Sequence, residues 1–134
     1  MTELLIRGGR IVRPQGPEAG DVRIVDGRIA EVGPALTAGA GAQAIDASGK
    51  LVLPGMIDPQ VHFREPGLER KEDLESGSRA AVAGGVTSFM EMPNTKPPTV
   101  TKEALEGKFA LAKGRAWGDH GFFVGATADN ADHL

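Results

Sequence analysis

The sequence predicts a mixed α/β chain: a small antiparallel β-sandwich module over residues 1–53, then the opening units of a (β/α)8 TIM-type barrel over residues 54–134. Three observations carry this. Short β-type runs broken by glycine pairs fill the first part, and two of them flank Asp26-Gly27. That step is a hairpin signal, because the matching turn needs positive φ at both central positions. After residue 70 the period becomes helical, with Leu74, Gly77, Ser78, Ala81 and Val82 on one side. Strand and helix patterns then alternate as β-α-β-α-β, the order of parallel strands joined by crossovers.

Taken in order, Leu4–Ile6 and Arg10–Arg13 read as two short strands joined through Gly8-Gly9. Pro14–Gly20 reads as a loop, and Asp21–Val25 and Arg28–Val32 as the hairpin. Gly33–Gly41 is an Ala/Gly-rich connection, and Ala44–Asp46 and Lys50–Leu53 a strand pair around Ser48-Gly49. The whole module reads as scaffold. The first helix stops at Gly84-Gly85, and its small residues let it sit close on a sheet. Val86–Met92 is β-rich. Thr101 is a fair N-cap for a helix through about Lys113, with Leu105, Phe109 and Ala112 on one side and Gly107 weakening it. Gly121–Gly125 reads as the next strand.

Composition narrows the function classes. The net charge is −3 and no basic cluster appears, which argues against a nucleic-acid or polybasic membrane role. There is no cysteine, hence no disulfide framework and no thiolate metal site, in keeping with a reducing compartment. No leader or membrane span is visible, so a cytoplasmic location is expected. Nineteen glycines and nine prolines are spread as punctuation between elements. At 134 residues the chain is too short for a full barrel of about 250 residues.

The chain is organised around Leu53–Gly67. Pro-Gly opens and closes this stretch, and inside it side chains alternate. Asp58, Gln60, His62 and Arg64 fall on one face of a strand, Pro59, Val61 and Phe63 on the other. Burying polar groups unpaired costs about 1–3 kcal/mol each. A polar strand face is therefore either wet or turned to a metal or substrate. His62 and Arg64 lie at the C-terminal end of the strand, where barrel enzymes keep their chemistry.

The run His62-Phe63-Arg64-Glu65-Pro66-Gly67, followed by Met92-Pro93-Asn94-Thr95, resembles the dihydroorotases among the metal-dependent amidohydrolases. Between the two motifs lie Lys71–Gly77 and Ala83–Thr87, which fit the same pattern. The likeness is densest over Leu51–Pro98. One departure matters: Gln60 stands where the family motif has its first histidine. The resemblance implies the N-terminal part of a zinc-dependent cyclic amidohydrolase. Its reaction is the reversible cyclisation of N-carbamoyl-L-aspartate to L-dihydroorotate in pyrimidine biosynthesis, with one or two Zn²⁺ ions. It further implies that Arg64 and Asn94 grip the substrate carboxylate. The remaining metal ligands and the general acid/base would lie beyond Leu134, so no catalytic residue is expected here and residues 1–134 alone should be inactive. The implied partners are a small-molecule substrate and either a second copy of the chain or aspartate transcarbamoylase.

Each residue also has a plainer explanation. His62 is the metal-ligand candidate, since a neutral imidazole suits Zn²⁺; a lone histidine is otherwise structural. Gln60 offers a neutral amide oxygen, a poor ligand beside imidazole. It is a weak ligand or polar filler, part of a Gln-containing variant site, or the mark of a non-catalytic relative. Asp58 either orients His62 from behind or is a turn carboxylate at the strand start. A guanidinium recognises a carboxylate through two parallel bonds, but Arg64 would equally suit a surface ion pair with Glu65 or Glu69. Asn94 alone would be a turn former. Lys96 reads as a solvated loop charge. If Met90, Met92 and Asn94 line the inner face, Glu91 points toward the helices and needs a partner. His120 is expected before its strand and His133 near the chain end; neither is taken as a ligand. Two alternatives remain open: an allantoinase or dihydropyrimidinase, whose substrates lack the carboxylate Arg64 would hold, or a non-catalytic partner of aspartate transcarbamoylase.

Overall fold

The computed structural model describes residues 2–133. The chain forms two compact units, Met1–Pro54 and Gly55–Leu134. No helix among the described residues is long and apolar enough to cross a membrane.

The first unit is one mixed five-stranded sheet, not an antiparallel sandwich. Its strands are β1 (Glu3–Arg13), β2 (Gly16–Val25), β3 (Arg28–Gly33), β4 (Gln43–Asp46) and β5 (Leu51–Val52). β1 and β2, and β2 and β3, are antiparallel, while β4 and β5 both pair parallel with β1 and not with each other. Asp26 (φ 47°) and Gly27 (φ 76°) make the expected hairpin turn. The two expected short strands are one continuous strand, because Gly8-Gly9 is a bulge and not a break. The β1–β2 register shifts between Ile6 and Gly9, Gly8 has φ 72°, and its N–H donates to Asp21 Oδ1 at 2.7 Å. The buried Asp21 also accepts from Leu36 N at 2.9 Å. The expected loop 14–20 is mostly strand. β3 pairs only with residues 21–25 of β2, so Pro17 sits where one side needs no ladder donor.

The second unit is a three-stranded parallel sheet in the order β6-β7-β8 (Met56–Val61, Val86–Glu91, Asp119–Phe122) with α1 (Leu74–Ala83) and α2 (Lys102–Ala112) as its connections. The core lies between sheet and helices: Phe63, Leu74, Phe89, Ala112 and Phe122, with Val61, Ala81, Leu105 and Ala116 packed against it. Each large apolar side chain sealed here contributes about 1.5–3 kcal/mol. Phe63 and Phe89 meet edge to face at 4.9 Å. Gly77 is what lets α1 close on them, since a Cβ there would sit 2.5 Å from the Phe63 ring.

Both helix starts follow from their caps. Asp73 Oδ1 accepts from Ser76 N at 2.7 Å, and that N–H holds its carboxyl below the usual range. Thr101 Oγ1 accepts from Ala104 N at 3.2 Å. Thr101→Ala should therefore cost about 1 kcal/mol, read as a lower midpoint in denaturant melts; an unchanged midpoint would show the cap to be idle. The buried stripe of α2 is rotated from the expected one. Lys108 and Ala112 are buried while Phe109 is 45% exposed. β8 begins two residues earlier than the apolar run suggested, at Asp119. His120 is thus inside the strand, its ring stacked on Phe89 at 5.7 Å and its Nδ1 3.0 Å from the Gly118 carbonyl.

Candidate active site

The site candidates lie where β6 and β7 end. β6 stops at Val61, so His62 follows the strand and does not belong to it. Val61 and Phe63 join the core, and within the strand Gln60 falls on the side opposite Val61 by alternation. The expected alternation fails at Arg64, whose φ is 68°, and the pairing of β6 is irregular between Asp58 and Val61. Asp58 Oδ1 accepts from Gln60 N at 3.0 Å, the geometry of an Asx turn. The ring partner of His62 is Asn94: Nδ1 and Asn94 Oδ1 are 2.8 Å apart. In the neutral tautomer that donates Nδ1–H to this amide oxygen, Nε2 is the nitrogen left with a lone pair.

The backbone holds these two loops together. Met92 N donates to Val61 O at 3.0 Å and Lys96 N to Pro66 O at 2.9 Å. Gly67, at φ 89°, passes so close to Lys96 that a Cβ would lie 1.8 Å from its carbonyl oxygen. The second loop is braced from within. Thr95 Oγ1 donates to Pro97 O at 2.9 Å, and Thr95 N and Thr99 N both donate to Pro93 O at 2.9 Å. Asn130, buried and unremarked in the sequence, donates to Val100 O at 2.9 Å and Gly125 O at 2.8 Å and accepts from Thr127 N at 2.7 Å. It ties the segment after β8 to the second loop.

Charges sort cleanly around Arg64. Glu65 is buried and engaged: its Oε1 lies 2.7 Å from Arg115 Nη1, and its Oε2 accepts from Leu74 N at 2.9 Å at the start of α1. That carboxylate holds the Arg115 guanidinium even more firmly charged. Glu69 accepts from Gly67 N at 2.7 Å, which keeps its carboxyl below the usual range. Both carboxylates that would have made Arg64 a surface ion pair are thus occupied, and the Arg64 guanidinium makes no ion pair among the described residues.

Glu91 does point at the helices, as its place in the strand required. Its partner is Lys108 of α2, with Nζ 2.7 Å from Oε2. Sequence reading missed Lys108, although it is the one charge on the stripe Leu105, Lys108, Ala112.

No three His, Asp or Glu side chains converge on a metal-binding point among the described residues. His62 Nε2 fits one ligand position of a zinc site, with Gln60 a weak second. By themselves these residues do not make a metal centre.

The model of the dihydro-orotase-like family matches residues 49–122, which spans both loops. This chain belongs to the dihydroorotase-like family. A dihydroorotase from Pelobacter propionicus is 52% identical over 117 residues, 86% of this chain and 27% of its own length. An allantoinase from Deinococcus radiodurans is 42% identical over 133 residues, 98% of this chain and 30% of its own. Among solved structures, an L-hydantoinase (dihydropyrimidinase) from Arthrobacter aurescens superposes with a TM-score of 0.84 at 32% identity, covering 97% of this chain and 29% of that one. The dihydroorotase-like chain thus spans less than a third of these relatives, all of them cyclic amidohydrolases by name.

Proposed function

We propose that this chain is the first part of a dihydroorotase. The reaction is the reversible cyclisation of N-carbamoyl-L-aspartate to L-dihydroorotate in pyrimidine biosynthesis, and residues 54–134 open its (β/α)8 barrel. The observation that carries this is Arg64. It follows His62 by two residues and its guanidinium makes no ion pair among the described residues, while Glu65 and Glu69 are engaged elsewhere. A guanidinium without a carboxylate of its own suits the substrate carboxylate through two parallel bonds. Asn94 keeps its amide N–H donors for the same group, since its oxygen is used on His62. Zinc, when bound, supplies Lewis-acid activation of the scissile amide. His62 would hold it through Nε2, together with ligands from outside residues 1–134. On this reading the parent is cytoplasmic, and its assembly is with itself or with aspartate transcarbamoylase.

The full-length parent is the object of test. His62→Ala should lose zinc by elemental analysis, and equal zinc in variant and wild type would remove His62 from the site. Arg64→Lys keeps the charge but loses the fork. It should lower kcat/KM for carbamoyl-aspartate by about 1.5–3 kcal/mol, with the melting midpoint little changed. Unchanged kinetics would return Arg64 to the surface. Allantoinase or hydantoinase activity is the second reading, favoured by the coverage of the allantoinase relative. It predicts turnover of a substrate without the carboxylate and indifference to Arg64→Lys. A wild type inert toward all three substrates, with later ligands substituted, would mark a non-catalytic partner.

A further inference from the structure

Glu91 and Lys108 are ionisable side chains that the proposed chemistry does not use, and both are sealed, at 0% and 1% exposure. Lys108 Nζ lies 2.7 Å from Glu91 Oε2, donates to the Met92 carbonyl at 3.4 Å and sits 4.9 Å from the centre of the Phe122 ring. The ammonium and carboxylate meet at ion-pair distance without a directed hydrogen bond. Stability does not explain such a pair, because apolar residues of similar volume generally do as well or better. Its place in the fold does. Glu91 is the last residue of β7, and Met92 leads directly into Pro93-Asn94. At the same level Phe123 N donates to Glu91 O at 2.9 Å and Met92 N to Val61 O at 3.0 Å. Two backbone bonds therefore tie three strand ends together where the ammonium also reaches the Met92 carbonyl, at the long end of hydrogen-bond range.

We propose that Glu91 and Lys108 are positioning residues: a buried strut that fixes the direction in which Met92-Pro93-Asn94 leaves β7, and so the reach of the Asn94 amide to His62 and to substrate. The carboxylate stands below and the ammonium bridges it to the chain that must turn. The substrate half of this inference rests on the dihydroorotase reading; the geometric half does not.

The test compares full-length wild type with Glu91→Met/Lys108→Met and with Glu91→Asp. The double variant removes both charges at nearly constant volume, so its melting midpoint should stay near wild type. Its KM for carbamoyl-aspartate should nonetheless rise about tenfold with a smaller change in kcat, since Asn94 binds ground and transition state alike. The side-chain amide signals of Asn94, read by NMR on selectively labelled substrate-free protein, should shift. Glu91→Asp keeps the charge and fold but draws Lys108 away from the Met92 carbonyl. It should raise KM about threefold and move the same amide signals. Wild-type KM and wild-type Asn94 signals in either folded variant would overturn the strut. A wild type that does not turn over carbamoyl-aspartate would overturn the functional reading instead, and the amide signals would still decide the strut.

Discussion

Lys108→Met should destabilise the full-length protein by about 3–5 kcal/mol at pH 7, the cost of leaving one member of a buried ion pair behind, and by much less near pH 4. Burial already pushes the Glu91 carboxyl above its ordinary value, the nearby Glu65 adding to this, while Lys108 chiefly, and the Arg64 backbone N–H to a smaller extent, oppose it. Without Lys108 the folded-state value rises further, while the unfolded value stays near the ordinary one of about 4.3. Below that value both states hold the proton and the carboxyl contributes fully to stability. As pH climbs, the unfolded chain releases its proton first, and stability falls until the pH passes the raised folded-state value. Denaturant melts between pH 4 and pH 8 read this directly. The variant should lose stability steeply with rising pH and the wild type only shallowly. Parallel curves for the two would mean that Lys108 does not hold the carboxylate in its charged form.

The features legible in the sequence were those with local causes. The Asp26-Gly27 turn, the cap at Thr101 and the Gly77-Ser78 face of α1 each depend on side chains within a few residues, and each is where the pattern put it; the Asp73 cap is equally local but went unread. Misreadings arose where a distant group decided. Gly8-Gly9 carries a turn signal, but Asp21 holds its N–H from the next strand and makes it a bulge. Ser48-Gly49 suggested that its two flanking strands pair, yet both pair with β1 instead. His120 reads as polar and outside the strand; its flat ring instead packs with Phe89, Phe109 and Phe122 as a fourth aromatic. The site divides the same way. His62, Arg64 and Asn94 stand in recognisable runs, but their relation, 32 residues apart at 2.8 Å for His62 and Asn94, needed the fold. Lys108 was invisible because a lone lysine on a helix is normally solvated. Only the unexplained Glu91 hinted that a partner had to come from the helices.

Gly67→Ala should be the most damaging single methyl group in the site. Gly67 sits at φ 89°, a conformation that costs an alanine about 1–2 kcal/mol. Its added Cβ would lie 1.8 Å from the Lys96 carbonyl oxygen and 2.8 Å from the carbonyl carbon, both backbone atoms. A flexible side chain could swing away, but this carbonyl cannot. Its own residue donates to Pro66 O at 2.9 Å, and Thr95 on its other side is tied to Pro97 and Thr99. The clash therefore has to be relieved by moving one loop against the other by roughly 1 Å. Those loops carry His62 and Arg64 on one side and Asn94 on the other. A misplacement of that size costs about 100-fold in rate when the displaced groups orient substrate. We expect kcat/KM of the full-length protein for carbamoyl-aspartate to fall by about that factor, with a smaller loss of thermal stability because the Phe63–Phe89 core is untouched. A variant within twofold of wild type would show that the two loops need not stay in backbone contact for Arg64 and Asn94 to act together.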